Sequence, residues 1–138
     1  MENSLENGPL TLGTNVGVKL SWAWGLAFFV VGIARFLPNP LFGEDSVVVT
    51  DIAHNIVHVV TALAFVAVAF LGNVASTRFM KTFGVVYLLV GTIGFVTLAG
   101  APTGRLLGVV HINGVANFLH VGSGAGILAS GLFAASRN

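Results

Sequence analysis

The sequence predicts an all-α protein: a four-transmembrane-helix bundle built from two tandem helical hairpins related by a pseudo-two-fold along the membrane normal. Three observations predict it. Of 138 residues, 55% are hydrophobic and only 8% charged, where a soluble domain carries about a quarter charged, so the surface must face something other than water. Four apolar segments each approach the roughly 20 residues that cross about 30 Å of hydrocarbon. The two halves of the chain also resemble each other.

Residues 1–19 are polar and contain Glu2 and Glu6. A secretory signal begins basic and turns apolar within a few residues, so this segment reads as an N-terminal tail. The first span is expected over Leu20–Leu37, stopped by Pro38 and Pro40. The second is expected over Ile52–Leu71, the third over Met80–Leu98 and the fourth over Gly114–Ala135. Val and Gly are frequent in them and weaken a helix in water. In lipid the backbone must satisfy its own hydrogen bonds, so helix is still the expected form. The connection near 72–79 is short and basic, and the connections 38–51 and 99–113 are longer.

Lys19, Arg78, Lys81 and Arg137 fall on the side of the termini, with Arg35 and Arg105 on the other. This excess places the termini in the cytoplasm by the positive-inside tendency. Net charge is +1, which gives no electrostatic footprint for nucleic acid. The chain has no cysteine, which excludes disulfides, thiolate metal sites and cysteine nucleophiles.

The repeat is seen with two offsets. Moved by 59 positions, the first span meets the third: Gly25 falls on Gly84, Phe28 on Tyr87 and Gly32 on Gly91. Moved by 62, the second meets the fourth: Asp51 falls on Asn113, Asn55 on Asn117, His58 on His120 and Thr61 on Ser123. Polar residues are scarce in these spans, so four matches under one offset carry the weight. Each repeat contains two spans, so both insert with the same orientation, as in parallel-repeat membrane proteins.

Each polar set forms one helical stripe. Asp51 and Asn113 stand where N-caps belong. Asn55, Asn117, Thr61 and Ser123 are expected as polar contacts between helices, since amides facing lipid are costly. His58 and His120 are candidate ligands of a haem iron or a chlorophyll-type pigment held between them. His54 stands one turn before His58 at ligand spacing, but its counterpart in the second repeat is Ala116, so a site using it is asymmetric. No metal-ion site is expected, and His111 is expected in a solvated loop. Tyr87 lies deep enough to need a hydroxyl partner, while Trp22 and Trp24 fit an interfacial belt. Gly122-x3-Gly126 permits close helix approach, inside the bundle or in a dimer. No nucleophile elbow, phosphate loop or paired-carboxylate set is present, so an enzyme is not expected.

His54-Asn-Ile-Val-His58, the stretch from Phe83 to Gly91, and Asn113-x3-Asn117-Phe-Leu-His120 together resemble the DUF4383 group over residues 20–135. The resemblance implies a small four-span protein of the bacterial inner membrane and supplies no activity. The function expected first is a non-enzymatic accessory or scaffold subunit, associated with other membrane chains or with itself. A haem- or pigment-binding protein is the alternative, and a small-solute pathway along the polar stripes a third.

Overall fold

The computed structural model describes residues 15–34 and 36–137. The tail before Asn15 and the arginine at the end of the first span, Arg35, lie outside the described residues. Among those described run α1 (Val16–Ala34), β1 (Phe42–Gly43), β2 (Val48–Val49), α2 (Ile52–Phe70), α3 (Asn73–Leu98), β3 (Thr103–Leu106), β4 (Val110–Asn113) and α4 (Gly114–Ala135). All four helices are long and apolar enough to cross a membrane.

Four boundaries differ from the sequence reading: α1 ends at Ala34 rather than Leu37 and α2 at Phe70 rather than Leu71, and the two largest shifts are helix starts at the short-loop end. Helix α1 begins at Val16 rather than Leu20, because Asn73 Oδ1 accepts from the backbone N–H of Gly17 at 2.7 Å and of Val18 at 3.4 Å. Those donors are among the groups a helix leaves unpaired at its start. Helix α3 begins at Asn73 rather than Met80, and the connection before it shrinks to Leu71 and Gly72. Gly72 has φ 99°, a turn conformation that a side chain disfavours. Ser76 Oγ then donates to the Val68 carbonyl at 3.1 Å, tying the start of α3 to the end of α2. Hydropathy finds the length that crosses hydrocarbon; a helix continues past it wherever its terminal groups are satisfied.

Helix α1 packs mainly on α2, and α3 mainly on α4. In each pair glycine brings the backbones together. A Cβ on Gly32 would meet Val59 Cγ2 at 2.8 Å, with the Asn55 carbonyl beside it; one on Gly91 would meet Val121 Cγ2 at 2.7 Å, with the Asn117 carbonyl beside it. Between the pairs lies an aromatic core. Phe28 meets Tyr87 edge-to-face at 5.3 Å and Phe65 meets Phe83 at 5.4 Å, with Met80 and Ile127 fully buried below. Outward faces carry exposed Leu26, Val60, Leu63, Leu89 and Leu132, side chains suited to acyl chains.

Trp24 does not join an interfacial belt. It lies on the inward side of α1, where its indole N–H donates to Ser130 Oγ at 3.1 Å and its ring covers Gly126. Gly126 thus serves internal packing, while Gly122 faces open space. Trp22 remains exposed, against the edge of Phe70.

At the opposite end the long connections form two short β-ribbons. β1 pairs with β2, and β3 pairs antiparallel with β4 so that Arg105 faces His111. Asn39 turns the first of them, donating to the Ala34 carbonyl and accepting from the N–H of Leu41 and Phe42.

Candidate functional site

The site begins with two helix caps. Asp51 Oδ1 accepts from His54 N at 2.8 Å, and Asn113 Oδ1 accepts from Ala116 N at 2.9 Å, so both caps stand where the sequence places them. Each cap also reaches the other ribbon. Asp51 Oδ2 accepts from His111 N at 3.2 Å. Asn113 Oδ1 accepts, weakly at 3.4 Å, from Val49 N. Val49 and His111 are themselves 62 positions apart, so the crossing is reciprocal. Asp51 further pairs with Arg105 at 3.1 Å, an ion pair the sequence did not suggest. Burial works to raise the Asp51 carboxyl. The His54 and His111 N–H groups and the Arg105 guanidinium outweigh it and hold the group below the ordinary carboxylate value.

Below the caps three imidazoles converge. His54, His58 and His120 are 2%, 6% and 6% exposed, and one ring nitrogen from each lies within 4.8 Å of the others. His54 Nδ1 is 3.0 Å from the His111 carbonyl. A carbonyl only accepts, so Nδ1 carries the proton, and a neutral ring then presents an Nε2 lone pair. That nitrogen is 3.3 Å from His120 Nε2. His58 Nε2 is 3.1 Å from Tyr87 Oη, the partner the deep tyrosine requires. The Nδ1 atoms of His58 and His120 are buried and without a hydrogen-bond partner among the described residues. An ion fits between the ring nitrogens after a small inward rotation of a ring, since ligands of one ion at about 2.0–2.1 Å stand at most about 4.2 Å apart and these span up to 4.8 Å. A macrocycle does not: the His54 and His120 nitrogens nearly touch, and the His58 and His120 ring centroids are only 6.0 Å apart.

The imidazoles border a half-open cavity of about 200 Å³. Trp24, Phe28 and Val31 line it from α1, Leu119 and Ser123 from α4, and Phe42 and Val48 from the first ribbon. It therefore lies at the seam where α1 meets α4. Tyr87 reaches it from α3.

Other predicted positions stay apart from this cluster. Asn55 and Asn117 are fully buried, and Asn117 packs against Gly94 of α3. Neither amide has a hydrogen-bond partner among the described residues, so they fill helix interfaces without the polar contact expected of them. Thr61 is buried a turn below His58, and Ser123 borders the cavity. His111 sits half-buried in β4 instead of a solvated loop, and its backbone rather than its ring serves the site.

The sequence missed three partners: Tyr87 for His58, Arg105 for Asp51, and the His111 carbonyl for His54. Only Tyr87 had a signal, the lone hydroxyl in an aromatic position of the repeat. The others depend on how two loops cross, which no local pattern records.

What the fold and site define is a helical chain with four candidate membrane spans and a buried imidazole cluster beneath one end, compatible with a multi-pass membrane protein. No family model, curated protein or solved structure matches the chain.

Proposed function

We propose that this chain is a multi-pass membrane protein that binds a small ligand in the cavity between two copies of one helical hairpin. The observation that carries the reading is the convergence of three buried histidines on that cavity, with two ring nitrogens unpartnered among the described residues. An unsatisfied polar group in a water-excluded interior costs about 1–3 kcal/mol. A ligand taken by His58 Nδ1 offsets that cost at one of the two nitrogens.

Several features support two copies related by a pseudo-two-fold: the matched glycine contacts, the matched caps and the reciprocal crossing of Asp51 and Asn113. His58 and His120, and Phe28 and Tyr87, then face each other across the axis. The DUF4383 resemblance and the lysine and arginine distribution favour a bacterial inner membrane, with the termini in the cytoplasm and the cavity toward the outer face. The role is binding, not catalysis. A second reading, an accessory subunit of a membrane assembly, is favoured by the small mass outside the spans: the connection between α2 and α3 is Leu71 and Gly72 alone.

Native mass spectrometry of the protein released from mild detergent tests the binding reading. It predicts an adduct on the wild type that is missing from a His58→Ala, His120→Ala double variant of the same helical content. A bare wild-type mass, or an adduct retained by the variant, contradicts it.

A further inference from the structure

We propose that the ligand is a divalent transition-metal ion of the zinc class, held by His54 Nε2, His120 Nε2 and one ring nitrogen of His58. The proposal rests on the binding reading above and names its ligand.

The His54–His120 distance is the first argument. Two nitrogens that bind one tetrahedral ion at about 2.0–2.1 Å stand about 3.3 Å apart, and Nε2 to Nε2 measures 3.3 Å. The spacing is the one that two lone pairs aimed at a shared tetrahedral ion require, and without an ion it also admits an N–H···N hydrogen bond.

The orientation of His54 is the second. A metal-bound imidazole normally gives its other N–H to a carbonyl or carboxylate, which fixes the tautomer and strengthens the ligand. His54 Nδ1–H does this to the His111 carbonyl. The same peptide strand is held by Asp51, whose carboxylate accepts the His111 N–H and the Arg105 guanidinium. One helix cap therefore sets both the start of α2 and the aim of its first histidine. Tyr87 Oη stands 3.1 Å from His58 Nε2, and His58 Nδ1 has no partner among the described residues.

Ligand chemistry is the third. Three neutral imidazoles without thiolate suit zinc, copper, nickel or iron, and not magnesium or calcium, which take oxygen ligands. Three protein ligands leave a fourth position, the arrangement of sites that also hold water or an exchangeable ligand. Here the adjoining cavity supplies the room, and Tyr87 borders it.

The test uses the full chain in detergent, purified without a polyhistidine tag, stripped with chelator and titrated with Co(II). The expected result is the intense visible d–d absorption of four-coordinate Co(II), saturating at one equivalent and displaced by Zn(II). His54→Ala and His120→Ala should each weaken Co(II) by more than about 100-fold, a loss larger than the 10–100-fold typical of a supporting residue. Leu132→Ala, at an exposed outward position toward the far end of α4, should bind as the wild type does. Octahedral-type spectra, no saturable binding by folded wild type, or equal binding by the His120→Ala variant would overturn the proposal. If the protein carries an organic adduct and no metal, the metal assignment fails and the binding reading stands. If it carries neither, both fail.

Discussion

The α1–α2 pair and the α3–α4 pair are built alike and equipped differently. Gly32 and Gly91 make the same contact with the residue four beyond an asparagine, and Asp51 and Asn113 cap the same turn. Phe28 meets His58, and Tyr87 meets His120, both edge-on. Yet the first pair contributes two imidazoles and a phenyl ring, the second one imidazole and a phenol. Ala116 stands where a second His54 would be, and it is buried at the cavity wall. The likeness explains how two helices present histidines to each other. The difference explains why the cluster has three nitrogens and an open side rather than four and none.

The largest effects are expected where the shared frame is broken. A Cβ on Gly84 would stand 2.8 Å from Leu128 Cα, whereas one on Gly122 meets nothing within 4 Å. Gly84→Val should therefore destabilise by about 1–3 kcal/mol through overpacking, and Gly122→Val by much less, read as midpoints of thermal unfolding in one detergent. Equal midpoints would remove close backbone approach from the account of the α3–α4 pair.

The caps sharpen the comparison. Asp51→Ala and Asn113→Ala should each cost about 0.5–2 kcal/mol, and Asp51→Ala the more, because its carboxylate also holds His111 and Arg105. The two caps differ also in acid. The folded-state value of Asp51 is depressed, so its stabilisation is complete above the unfolded-state value of about 3.9 and is lost as pH falls through the lower, folded value. Thermal midpoints of the wild type should carry this loss. Asp51→Asn, which makes the first cap like the second, should lack it.

The smallest effect concerns the phenol. Tyr87→Phe makes the second pair resemble the first and removes the hydroxyl from His58. It should cost about 0.6 kcal/mol, the mean for side-chain hydrogen bonds between membrane helices. A neutral result would mean that His58 finds water in its place.

Much of this arrangement was legible in the sequence. Scarcity of charge and span length gave four helices, and caps at Asp51 and Asn113 follow from residue type at a helix start. The rows of Asn55 with His58 and Asn117 with His120 appeared because polar residues are rare enough for an offset to stand out. Other features were not legible, for physical reasons. Extension of α1 back to Val16 depends on the Asn73 side chain, which belongs to a different helix. The amides of Asn55 and Asn117 turned into helix interfaces, since a helical stripe is wide enough to hold residues that face different neighbours. His54 counted for more than its broken symmetry suggested, because the carbonyl that orients it comes from a ribbon on the other half of the chain.

Zinc K-edge X-ray absorption on the zinc-loaded protein tests the central claim most directly. Three imidazole nitrogens at about 2.0 Å, falling to two in the His54→Ala variant, are the predicted result. A shell of oxygen ligands alone, or a spectrum unaltered by that substitution, would contradict the convergence of α2 and α4 on one ion.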